Sequence, residues 1–139
     1  MTYLNKYNTP SICILIMFCI SGCSTIFEND IESEPVTLMA PCDGLRTSIV
    51  LQTFWWYYVK DATNYNLQIV SPNFDYVEKL VLDTILSVNK FQITLNPGTY
   101  QWRVNAFNSG YSTQYTTNTI YIDTTLSISI YTLPILKKE

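Results

Sequence analysis

Histidine is absent from the 139 residues, which removes the commonest general base and the ordinary Ser-His or Cys-His nucleophile pairings. Glycine is nearly as scarce, at four residues, and no glycine-rich loop of the kind that cradles a phosphate is present. Charged residues make up 14% of the chain, below the usual share of roughly 25%. The eight Lys and Arg are scattered and the formal net charge is -3, so no basic patch is available for nucleic-acid phosphates. Cysteine pairs with histidines at metal-ligand spacing are missing too, and no metal or other cofactor is expected. The apolar run Ile12 to Ile20 covers nine residues, too few to cross a bilayer, which takes about 20.

What the chain does have is aromatic and aliphatic surface. It is 47% hydrophobic and 14% aromatic, with eleven tyrosines. That composition favours strands over helices, and the length suits one core. Enzymatic chemistry would have to come from the carboxylates Asp61, Asp75, Glu78 and Asp83, which fall near expected turns and edges. A glycosidase pair needs two acids about 5 to 10 Å apart in a cleft, whereas acids in turns usually serve only solvation. The expectation is therefore a protein that is not an enzyme.

The N-terminal segment speaks to compartment. Lys6 and the free amine precede the nine-residue apolar run, which has the size of a signal-peptide core. It ends in Ile20-Ser21-Gly22-Cys23, which resembles the lipobox of bacterial lipoproteins. The resemblance implies that residues 1-22 are removed and that Cys23 carries two or three acyl chains, enough for stable membrane anchoring. Cys13 and Cys19 would leave with the signal, so Cys42 is expected as a partly buried lone thiol. Residues 23-34 are acidic and glycine-free, and are expected to form an extended, solvated spacer. Acidic residues after a lipidated cysteine look like the export signal of Bacteroidetes surface lipoproteins, although here they begin five residues on instead of two or three. The implied location is the cell envelope, at the outer membrane, facing either the periplasm or the exterior.

From Val36 onward the hydrophobic period is two. Tyr100, Trp102, Val104 and Ala106 share one face of a strand, and Gln101, Arg103 and Asn105 the other. Tyr65-Asn66-Leu67-Gln68-Ile69, Phe91 to Leu95 and Ile120 to Ile122 repeat the alternation. Turn signals separate them at 60-64, 71-73, 96-98 and 108-110. Strands are expected near 36-39, 51-58, 64-70, 78-84, 90-95, 99-107 and 115-122.

Two clusters carry a family resemblance. Phe54-x-Trp56 is followed by Val59-x-x-Ala62-Thr63-x-Tyr65-x-Leu67, and later comes Leu95-x-Pro97-Gly98-Thr99-Tyr100-x-Trp102-Arg103-Val104. Together they resemble a fibronectin type III domain over residues 35-123. That likeness implies an all-β, immunoglobulin-like antiparallel sandwich of about seven strands. Phe54, Trp56, Tyr65, Leu67, Tyr100, Trp102 and Val104 would mark its core, and Tyr100 would be the corner tyrosine bonded to upstream backbone. The chain departs from the pattern at Tyr57-Tyr58, which completes five consecutive aromatics from Phe54. Residues 124-139 alternate again, and read either as an added edge strand or as the stub of a further module.

Three sets of candidate site residues follow. Trp55 and Tyr57 have the parity opposite to the core pair and should project outward, where aromatic rings stack on sugars or anchor protein partners. The spacer or the tail folding over them is the alternative. Asn66, Gln68, Gln101 and Arg103, with Asn105, should form a polar face suited to hydroxyl recognition, or simply a wetted sheet face. Asp83-Thr84-Ile85 and Asp123-Thr124-Thr125 look like O-glycosylation acceptors at Thr84 and Thr124, although Asp-Thr also suits strand ends. The functional expectation is a membrane-tethered binding or adhesion module for a glycan or an envelope protein. The alternative is a structural spacer or accessory subunit of an outer-membrane assembly.

Overall fold

A computed structural model describes residues 28-123 and 125. The expected signal segment 1-22, Cys23, Thr124 and nearly all of the 124-139 tail lie outside them. Among the described residues eight strands form: β1 Leu38–Ala40, β2 Leu45–Thr47, β3 Leu51–Trp56, β4 Asn64–Pro72, β5 Val77–Leu86, β6 Lys90–Thr94, β7 Gly98–Phe107 and β8 Thr116–Ile122. They make two sheets, β1-β3-β6 and β2-β8-β7-β4-β5. Every pairing is antiparallel except β2 with β8, which is parallel.

The all-β two-sheet sandwich is as expected, with one strand more than the sequence suggested. Leu45-Arg46-Thr47 is too short to show a period, and it becomes a strand only by pairing with Ile120 to Ile122. β3 also stops at Trp56 and not at 58. Beyond it the Tyr57 N–H turns to Thr37 O and the Val59 N–H to the Tyr65 hydroxyl, so the chain leaves the ladder with its donors satisfied.

Period-two parity decides what is inside. Phe54 and Trp56 from β3 face Tyr65, Leu67 and Ile69 from β4, Trp102, Val104 and Ala106 from β7, and Ile120 from β8, all buried. Phe54 meets Trp102 edge-on across the sheets, with centroids 5.0 Å apart at 72°, and Trp56 packs on Tyr65 at 5.6 Å. The Tyr100 hydroxyl donates to Asn96 O at 2.9 Å, the expected corner.

Two expectations are corrected. The acidic spacer is not free over 28-34: Ile31 is only 1% exposed, and Asn29 O accepts a 2.9 Å bond from Asn108 Nδ2. An apolar residue within an acidic run drives this docking, since burying one Ile stabilises by roughly 1.5 to 3 kcal/mol. Cys42 is exposed instead of partly buried. It sits in the β1–β2 turn, whose backbone is engaged through Leu45 N–H to Cys42 O and Gly44 N–H to Thr119 O, leaving the thiol to solvent.

Neighbouring tryptophans should respond very differently to truncation. Trp56→Ala, which empties a fully buried site, is expected to cost about 3 to 5 kcal/mol. Trp55→Ala, at a 37% exposed position that gives up one edge-on ring contact, should cost much less, about 1 kcal/mol. Urea denaturation midpoints at constant slope measure both.

Candidate functional site

Three turns and the N-terminal segment gather at one end of the sandwich. β3 delivers Tyr57 to Thr63 there, β7 delivers Asn108 to Ser112, and the β5–β6 turn reaches the same level through Asn89, which bonds Trp56 O. Asn108 ties them together. Its Nδ2 donates to Asn29 O and Asp61 O, while its Oδ1 accepts from Gly110 and Tyr111 N–H. Asp61 adopts φ 62°, a left-handed conformation that Asp tolerates better than most residues.

The aromatic surface begins on β3. Trp55 faces outward between Ala40 and Lys90 on the flanking strands, and the small Ala40 side chain leaves the indole partly uncovered. Trp55 is 37% exposed, Tyr57 52% and Tyr58 66%. Trp55 and Tyr57 sit at 5.8 Å in an edge-on arrangement, so each holds the other's orientation. Tyr57 and Tyr58 open onto a groove of about 310 Å³ whose polar groups come from Glu34, Thr37 and Lys60. The described part of the spacer borders these rings without burying them.

The opposite sheet face is different in kind. Arg103 lies between the rings of Phe74 at 4.0 Å and Tyr115 at 4.3 Å. Its Nε donates to Gln68 Oε1 at 2.8 Å, and Gln68 Nε2 donates to Asp83 Oδ2 at 3.0 Å. Gln101 accepts from Phe74 N–H and donates to Thr119. Asn105, expected at a wetted surface, is buried beneath the β7–β8 connection and donates to the Ser112 hydroxyl. Asn66 and Asn105 each keep an amide oxygen that no described group bonds. The planar amides thus mostly serve the sheet itself. Phe74 and Tyr115 escaped sequence reasoning because they reach Arg103 from turns, and no period links them.

The remaining candidates are scattered. Asp61 lies at the end that carries Asn108, Asp75 in the β4–β5 turn at the opposite end, Glu78 is exposed on β5, and Asp83 is held by Gln68. Thr84 is half-buried, on the inward parity of Leu82 and Leu86 and opposite Leu67. Asp123 closes a turn by accepting from Thr125 N–H and hydroxyl, and these bonds hold its carboxyl below its ordinary pKa. Among the described residues, no group of three or more Cys, Asp or Glu converges as metal ligands do.

Comparison with known proteins gives no matching family model and no matching curated protein. Among solved structures, the fibronectin(III)-like modules of Clostridium thermocellum CbhA are 9% identical, with 63% of this chain and 95% of theirs covered at a TM-score of 0.46. A structure titled FN3tt mut is 20% identical, covering 60% of this chain and 83% of its own at a TM-score of 0.40. The fibronectin type-III domain of human fibronectin type III domain containing protein 3 is 14% identical, covering 68% and 91% at 0.38. These likenesses concern the fold alone. The strand order and the Tyr100 corner themselves make the chain a fibronectin type III-like sandwich.

Burial raises the pKa of Tyr65 and Tyr100 above the ordinary 10.0. The unfolded chain therefore releases these protons first as pH rises. Their contribution to stability is complete below about pH 10 and is lost as pH climbs through the folded values. Denaturation free energies measured from neutral pH upward should hold level and then fall above about pH 10, with a shallower fall in Tyr100→Phe.

Proposed function

We propose that the chain is a non-catalytic binding module of the cell envelope, held to membrane by acylated Cys23 and contacting a glycan through Trp55, Tyr57 and Tyr58. The observation that carries this reading is a run of three exposed rings at the end of β3, of which Tyr57 and Tyr58 open onto a groove with polar walls and Trp55 packs edge-on against Tyr57. A sugar presents apolar C–H faces and a hydroxyl rim. Aromatic rings accept the first by stacking, and a few fixed polar groups orient the second. Glu34, Thr37 and Lys60 supply those groups here. Trp55 stands on β3, and the backbone just beyond it is held by Tyr57 N–H to Thr37 O and Val59 N–H to the Tyr65 hydroxyl, which limits the ordering cost of binding.

The absence of histidine from the sequence and the dispersion of the carboxylates support a non-catalytic role. The lipobox-like Ile20-Ser21-Gly22-Cys23 supports the anchor, and through it an outer-membrane location. A second reading, as a structural spacer or accessory subunit, is favoured by the satisfied face around Arg103, where stacking and hydrogen bonding lock the sheet instead of offering free donors.

A glycan array probed with the mature protein separates the two. Saturable binding that weakens about tenfold or more in Trp55→Ala and in Tyr57→Ala, a loss of roughly 1.4 kcal/mol, is the expected outcome. An array without signal, alongside a stoichiometric protein partner recovered from membranes, establishes the spacer.

A further inference from the structure

The N-terminal segment settles which end of the domain the anchor would hold. Ser109 Oγ donates to the Glu28 carboxylate, Asn108 donates to Asn29 O, and Ile31 is buried behind them. At Gly110 an added Cβ would meet Glu28 Cβ at 3.5 Å, so the turn and the segment are in close contact. The chain thus enters the sandwich at the end where Tyr57, Tyr58 and Tyr111 are exposed. Only residues 24-27 separate Cys23 from Glu28, and that stretch spans at most about 17 Å when fully extended. β7 alone runs about 33 Å, so the end bearing Tyr76 stands well away from the tether.

We infer that the Tyr57–Tyr58 groove addresses a neutral saccharide headgroup carried by lipids of the same membrane that holds Cys23. This rests on the anchored-binding reading above and adds where the ligand is. Tyrosine suits this layer, because its ring is apolar and its hydroxyl wet. Charge selects the headgroup: Glu28, Asp30, Glu32, Glu34 and Asp61 lie around this end with Lys60 and Lys90 opposing them, and the acidic excess disfavours a phosphate-rich surface. The short tether also keeps the groove at an effective concentration on the order of millimolar over membrane-borne ligand. Stacking-dominated contacts with a Kd of about a millimolar then reach roughly half occupancy.

Hydroxyl-radical footprinting tests the inference on the acylated full-length mature protein in phosphatidylcholine vesicles, with and without a neutral glycosyl diacylglycerol. Tyr76, which is 68% exposed at the far end, is the internal standard. Oxidation of Tyr57, Tyr58 and Tyr111 should fall at least threefold relative to Tyr76 when the glycolipid is present. Cys23→Ser protein with the equivalent free sugar at matched concentration should show no protection. Equal oxidation at both ends with an acylated Cys23 peptide in the same digest overturns the inference while leaving the anchor standing. Protection of Cys23→Ser protein by the free sugar at matched concentration, as strong as that of the acylated protein by the glycolipid, overturns the membrane source and leaves glycan binding intact. Protection without the glycolipid overturns saccharide recognition, and an unmodified Cys23 peptide removes the anchor and this inference with it.

Discussion

The edge-on contact between Phe54 and Trp102 is the interaction on which the molecule depends. One ring comes from the three-stranded sheet and the other from the five-stranded sheet, and both are fully buried. Sheets pack about 10 Å apart, and aromatic side chains are the residues large enough to fill that gap from both sides with few neighbours. Trp56 on Tyr65 extends the same layer toward the β3–β4 turn. The Tyr65 hydroxyl then accepts the Val59 N–H, so core packing directly shapes the loop that presents Tyr57 and Tyr58.

This coupling explains why an exposed aromatic surface persists on so small a domain. In β3, outward parity is the unavoidable complement of inward parity: placing Phe54 and Trp56 in the core puts Trp55 outside. A serine or threonine there would satisfy solubility. Instead the chain places an indole opposite Ala40, and follows it with two tyrosines just beyond the end of the ladder. The opposite sheet face follows another logic. Phe74 and Tyr115 sandwich Arg103, and Gln68 links that guanidinium to Asp83, so these groups hold three strands and two turns in register. The two faces are thus specialised, one open and aromatic, the other largely closed by its own stacking and hydrogen bonds.

The end at which the chain enters has a comparable economy of parts. Asn108 alone serves the β7–β8 turn, the β3–β4 turn and the N-terminal segment, using both amide atoms. Asn is suited to this because its side chain mimics a peptide group, donating and accepting within one turn. Ile31 adds the apolar contact that turns a hydrogen-bonded approach into a docked segment.

Much of this was legible in the residues. Strict alternation in Tyr100 to Ala106 and in Tyr65 to Ile69 determined which side chains face the core, because the pleat leaves a strand no third option. Leu95 to Val104 likewise specified the Tyr100 corner, a local bond spanning four residues. What the sequence could not determine were the pairings between distant segments. Strand β2 exists through β8, Arg103 is stacked by rings from two separate turns, and the acidic segment lies down on a turn some 80 residues away, as Glu28 and Ser109 show. Local pattern is fixed by the geometry of one strand. Contacts of that kind arise only when the closed sandwich brings surfaces together, and only the tertiary structure could decide them.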